Sequence, residues 1–192
     1  MLSKARHNAA TSNTPNVTFL QSRITSINLP DAYADLIISN CVINLVPHDE
    51  KHRVFAEMHR LLKPGGRVAV SDILTWAPLP EDLQKNVALY VSCVAGASTK
   101  AEYERWLGEA GFEDVLVVHS GGDLNVYTQH GGGLGSAKEG VCGDAGDVTL
   151  DGPACCSSTS DDGGVAQDMC RYLRDVDLNS LAGSFKIFAV KK

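Results

Sequence analysis

The sequence predicts an open α/β fold, a mostly parallel sheet with helices on both faces. Three observations predict it. Short β-rich runs alternate with helix-periodic stretches along most of the chain, joined by short connections. The run from Asp35 to Cys41 is nearly all apolar, the composition of a strand buried on both faces of a parallel sheet. The helical stretch after it stops at Lys63-Pro64-Gly65-Gly66, where proline cannot continue a helix and glycine permits the left-handed turn that ends one.

Taken in order, residues 2–10 read as a helix because Leu2, Ala5 and Ala9 recur at helical spacing before a Thr11–Pro15 breaker cluster. Residues 16–20 (NVTFL) and 35–41 read as strands. A helix is predicted over 48–62, with Val54, Met58, Leu61 and Leu62 on one side, and a strand over 67–74. Pro80 and two acids in the first turn mark a helix over 81–94. A Ser98/Thr99 cap opens another over 99–110, closed by Gly111, and a strand follows over 114–119. Residues 121–164 are rich in Gly, Ser and Asp and poor in aliphatics, which predicts a flexible insertion. Order is expected to resume with a helix over 165–174 and a strand over 184–190, whose natural partner is the strand at 114–119. The chain therefore divides into a core over 1–120, the insertion, and a C-terminal helix and closing strand over 165–192.

At 192 residues and 44% hydrophobic, the chain is long enough to bury a real core. Its net charge of −6, with no Lys/Arg cluster, lacks the footprint of a nucleic-acid partner. Apolar runs fall short of the roughly 20 residues that span a bilayer, and the N-terminus MLSKARHNAA does not resemble a secretory signal. A reducing, cytoplasmic setting is the expectation. There the six cysteines, Cys41, Cys93, Cys142, Cys155, Cys156 and Cys170, are free, catalytic or metal-binding rather than a disulfide framework.

Ligands of open α/β sheets bind just outside the carboxyl ends of the strands, which is where Asn40 and Cys41 fall. A second thiol, Cys93, lies in the segment YVSCVAGA. Either thiol alone reads most simply as a buried structural cysteine. Taken together, SNCVINL, LKPGGRVAVSDI, YVSCVAGA and the C-terminal DLNSLAGSFKIFAVKK resemble the arsenite methyltransferases, of the class I Rossmann-like methyltransferase superfamily. The resemblance covers residues 1 to about 120 and about 177 to 192. LKPGG is shared by many small-molecule methyltransferases, and the two cysteine motifs are much more specific.

The resemblance implies S-adenosylmethionine as methyl donor and arsenite, or its thiol adducts, as acceptor. It implies Cys41 and Cys93 as the As(III) ligands and catalytic residues. Thiolates are the natural ligands of a soft centre, and positioning is most of what such a site contributes. Asn40 matches the position along the methionine end of the cofactor, with Val42 flanking it. Ile24 matches the position near the adenine, where the family continues with an acid and this chain has Thr25. A thiol reductant such as glutathione or thioredoxin is implied as a partner.

The family begins its domain with a strand, a Gly-rich turn and a helix, then a second strand. MLSKAR matches the helix after that, so the expectation is an incomplete sheet lacking its first two strands, with impaired activity. Gly131-Gly132-Gly133-Leu134-Gly135 follows no predicted strand and reads as a linker. Cys142, Cys155, Cys156 and Cys170 read as exposed thiols or an accessory arsenic or redox site, and their spacing matches no zinc motif. His48, His52 and His59 read as a solvated helix face, and Asp72 as either a site residue or a turn residue. Two other functions remain open: a different small-molecule class I methyltransferase, or a non-enzymatic thiol module that binds arsenite.

Overall fold

The computed structural model describes residues 2–84, 93–126 and 177–192. Helix α1 spans Leu2–Thr11 and buries none of its residues. Strand β1 (Ala34–Asn40) leads through two short 3-10 turns, Ile43–Leu45 and His48–Glu50, into helix α2 (Lys51–Leu61). Strand β2 (Leu62–Thr75), helix α3 (Glu81–Gln84), helix α4 (Lys100–Glu109) and strand β3 (Phe112–His119) follow, and helix α5 (Leu178–Leu181) precedes strand β4 (Ala182–Lys191). The predicted helix over 165–174, Gly131 to Gly135, Cys142, Cys155, Cys156, Cys170 and nearly all of the predicted insertion lie outside the described residues.

The four strands form one open sheet in the order β1-β2-β4-β3. β1 and β2 are parallel, while β4 is antiparallel to both β2 and β3. Three strands thus point one way, and the reversed one, β4, lies between β2 and β3 as expected for the pair at the C-terminus. Along β1 the register steps from Ala34 opposite Leu62 to Leu36 opposite Arg67. The residues skipped are the Lys63-Pro64-Gly65-Gly66 turn, in which Gly65 takes φ +77°. The helix stop read from the sequence is therefore a bulge in the strand that follows.

One face of the sheet carries the core. Val68 and Val70 of β2 and Phe185, Ile187 and Ala189 of β4 pack against Val54, Phe55 and Met58 of α2 and Tyr103, Trp106 and Leu107 of α4. The N-terminus of α4 is fixed by a capping box, in which Thr99 and Glu102 satisfy each other's backbone amides. A smaller cluster covers the other face at the carboxyl end of β2, joining Ile73 to Leu83, Val94, Ala95, Leu124 and Leu178. Elsewhere that face is open: the row Ile38–Ala69–Phe188–Leu116 crosses all four strands, and Ile38 is 74% and Leu116 56% exposed.

Three expectations are corrected. NVTFL at 16–20 forms no strand, because a strand needs a hydrogen-bonding neighbour and none lies beside it among the described residues; Val17 and Leu20 remain exposed. β1 is a sheet edge among the described residues, half-buried on one face and exposed on the other rather than buried on both. The helix over 81–94 is described only over Glu81–Gln84; residues 85–92 lie outside the described set, and Cys93 and Val94 sit in a turn. No described helix is long and apolar enough to cross a membrane.

Candidate functional site

At the carboxyl end of β1 the ladder runs one residue past the strand, as the Cys41 amide donates to the Ser71 carbonyl at 2.9 Å. Cys41 then turns the chain with φ +52°. The 3-10 turn that follows drives Ile43 and Asn44 inward, while Asn40 and Val42, on either side of Cys41, stay exposed at the mouth of the sheet.

Cys93 reaches the same place from a distant part of the chain. Its thiol donates to the Cys41 carbonyl at 3.1 Å, and its own φ is +64°. Left-handed backbone costs a non-glycine residue about 1–2 kcal/mol, so two cysteines held there are a local strain of the kind that gathers at functional sites. Neither cysteine is in a disulfide.

The two thiols also interact with each other. Burial and the Asp72 charge raise the Cys41 pKa, while a hydrogen bond from Cys93 and the Lys186 charge act against that rise. The Cys93 thiol is pushed up to about 11 by burial, by the charges of Cys41 and Asp72, and by its hydrogen bond to Cys41. Burial thus favours the protonated thiol at both cysteines, and the hydrogen bond from Cys93 acts against the rise at Cys41.

A buried polar network surrounds the pair. The Asn44 side-chain amide donates to the Ile73 carbonyl at 2.8 Å and to the Cys93 carbonyl at 3.1 Å. Its oxygen accepts from the Tyr103 hydroxyl at 3.2 Å, and Tyr103 lies equally close to Asp72 Oδ2 at 3.2 Å. The hydroxyl has one proton, so both contacts are satisfied together only when Asp72 is protonated and donates to the tyrosine oxygen. Burial favours that state: it pushes Asp72 up to about 7, opposed by the alternative in which the Tyr103 proton turns to Asp72, by the Lys51 charge and by the Ile43 amide. Lys51 is brought down to about 8 by burial, against the charges of Asp72 and Glu102. Its ammonium donates to the Gly96 carbonyl and, at 2.9 Å, to Ser98 Oγ.

The structure therefore brings Cys41, Cys93, Asn40 and Val42 to one mouth and places Asp72 in the layer behind them. Ile24 packs against the main core, with Thr25 half-buried beside it. The contacts fixing this segment run to the second half of α2, where Glu57 accepts from the Ile27 amide and Arg60 donates to the Ile27 and Leu29 carbonyls. His48 is exposed and pairs with Glu102, while His59 packs against Phe112 rather than facing solvent alone. Asn44, Lys51 and Tyr103 went unremarked as site residues in the sequence. The one available signal was Asn44, a polar residue inside the apolar run CVINLV. No group of three or more potential metal ligands occurs among the described residues.

The family model of the Methyltransferase domain matches residues 1–111. Over 118 residues the chain is 47% identical to an arsenite methyltransferase of Halobacterium salinarum, a match covering 62% of this chain and 30% of that protein. It is 42% identical over 86 residues to an arsenite methyltransferase of Mus musculus, covering 43% of this chain and 22% of the relative. The chain thus spans less than a third of the length of these curated relatives. Among solved structures, an arsenic(III) S-adenosylmethionine methyltransferase from Chlamydomonas reinhardtii superposes with TM-score 0.57 at 23% identity, over 96% of this chain and 48% of that one. That likeness speaks to the fold.

Proposed function

Because the chain belongs to the Methyltransferase domain family, we propose that it is the arsenic-binding part of an S-adenosylmethionine-dependent arsenite methyltransferase, with Cys41 and Cys93 as the protein's two As(III) ligands. The contact between Cys93 Sγ and the Cys41 backbone carries this reading, since it brings the two cysteines together from distant parts of the chain. Arsenite takes up a thiol pair by exchanging two hydroxides: two thiols and As(OH)3 give a dithiolate As–OH and two waters. Each thiol proton leaves with a hydroxide, so the raised thiol pKa values do not oppose capture, whereas a bare cation would have to expel those protons. The site suits a thiophilic acceptor that carries its own leaving groups.

Asn40 and Val42, exposed on either side of Cys41, suit the methionine end of S-adenosylmethionine, and Ile24 and Thr25 take the adenine end. When bound, that group supplies an electrophilic sulfonium methyl. The chain's own residues hold the arsenic by two sulfurs, leaving its lone pair toward the mouth, and need no general base there. Thr25 supplies no carboxylate to the adenine amino group, and no glycine-rich strand-to-helix turn faces Cys41 among the described residues. Donor binding by this chain is accordingly weak, and methylation by it alone impaired. A thiol reductant such as glutathione or thioredoxin is the implied partner, and a reducing cytoplasm keeps the pair free.

The test is a pair of titrations of the purified chain. Arsenite quenches tryptophan fluorescence with no cofactor present, and isothermal titration with S-adenosylmethionine shows no micromolar binding. Absence of arsenite binding overturns the acceptor assignment. Micromolar donor binding overturns the impairment.

A further inference from the structure

We propose that Asn44 is a positioning residue whose side-chain amide sets the spacing of the two thiols by fixing the backbone of Cys93 relative to Cys41. The proposal rests on the reading of those cysteines as one As(III) site.

Asn44 is 1% exposed and lies three residues after Cys41, at the turn where the chain leaves β1. All three of its side-chain bonds reach other elements. One amide proton goes to the Ile73 carbonyl of β2, the other to the Cys93 carbonyl, and the side-chain oxygen accepts from Tyr103 of α4. The side chain is therefore held by the sheet and by α4, and it in turn holds Cys93. That hold matters because Cys93 is a non-glycine residue in the left-handed region, a conformation that relaxes unless its surroundings fix it.

Packing reinforces the same join. A Cβ added at Gly96 would overlap the Asn44 carbonyl oxygen, so the turn after Cys93 lies directly on the backbone of Asn44. Lys51, on the same stretch of chain as Asn44, ties down Gly96 and Ser98 beyond it. The segment that carries Cys41 thus grips the segment that carries Cys93, and Asn44 is the grip nearest the sulfurs.

The experiment uses the full chain with Cys142, Cys155, Cys156 and Cys170 changed to Ser, so that only the two thiols of interest remain. Asn44→Asp keeps the shape and removes both amide donors. Arsenite affinity, which needs both thiols, is read against the alkylation rate of Cys41 by iodoacetamide, which needs one, and thermal melts monitor folding. We expect arsenite to bind at least about tenfold more weakly, the loss of a buried hydrogen bond of about 1.4 kcal/mol or more, with the Cys41 alkylation rate at the high-pH plateau of its profile, where the thiol is fully ionised, little changed. Tyr103→Phe, which removes the hydroxyl that supports Asn44 and also contacts Asp72, serves if Asn44→Asp does not melt cooperatively, and is expected to weaken arsenite about threefold or more. Parent-like arsenite affinity in a folded Asn44→Asp, or in Tyr103→Phe where that variant serves, overturns the positioning role and leaves the functional reading standing. Failure of the parent to bind arsenite overturns both.

Discussion

Replacing Asp72 with Asn should abolish a specific pH dependence of stability. In the folded chain Asp72 is 2% exposed, and burial, partly offset by Tyr103 and Lys51, pushes its pKa from 3.8 to about 7. The sign follows from proton binding. Between those values the unfolded carboxyl has lost its proton and the folded one keeps it, so the stability this group contributes is complete at low pH and is lost as pH rises toward 7. The slope is about 1.36 kcal/mol per pH unit where only the unfolded carboxyl is ionised and halves at the folded pKa, which gives about 2 kcal/mol between about pH 5 and pH 7. Lys51, lowered to about 8, titrates in a separate window above that value, where its depressed pKa makes stability rise with pH. His59, lowered by burial, acts below pH 7 in the wild type and the variant alike and cancels in the comparison. Urea unfolding followed by tryptophan fluorescence at about pH 5 and pH 7 measures the difference. The carboxamide of the Asp72→Asn variant cannot ionise, so the variant gains about 2 kcal/mol on the wild type across that interval. A wild-type-minus-variant difference that stays constant between the two pH values would refute the burial and protonation argued for Asp72.

Gly96→Ala places a methyl group against the Asn44 carbonyl. The backbone must move, and the variant should lose about 1–3 kcal/mol in thermal unfolding and bind arsenite more weakly. Ile38, 74% exposed in the open row of the sheet, should cost little to replace: Ile38→Lys changes stability by about 0.5 kcal/mol or less, and sedimentation velocity should show less self-association than the wild type. Residues 127–176 are entered and left through a polar clasp, in which Asn125 Nδ2 donates to Asp177 Oδ1 at 2.9 Å and Asn179 Nδ2 to Asp123 Oδ1 at 2.7 Å. Replacing 127–176 with a short Gly/Ser linker should keep arsenite affinity and raise stability by about 2 kcal/mol or less, the closure entropy that a longer connection costs; loss of the cooperative melt would show that this segment belongs to the core.

The elements legible in the sequence are those whose cause is local. Thr99 and Glu102 cap one helix across three residues, and the Pro64-Gly65 turn ends another, so both boundaries fell close to prediction. The pairing of the last two strands was also readable, because both runs are β-rich and need a partner. NVTFL misled because its composition is that of a strand while no strand among the described residues lies beside it. The polar network was harder to see. Asn44 reaches partners 29, 49 and 59 residues away, and no local pattern encodes such contacts. The left-handed turns at Cys41 and Cys93 were equally hidden, since glycine is the usual signal for that conformation and neither residue is one. The cysteine pair, 52 residues apart, emerged only because two motifs resembled one family in the same order.

Shared capture of one arsenic by both thiols is tested most directly by arsenic K-edge X-ray absorption of the chain loaded with one equivalent of arsenite, with Cys142, Cys155, Cys156 and Cys170 changed to Ser. Two sulfur neighbours per arsenic, falling to one in either Cys41→Ser or Cys93→Ser, is the predicted result. A single sulfur in the parent, or a spectrum that either substitution leaves unaltered, would contradict it.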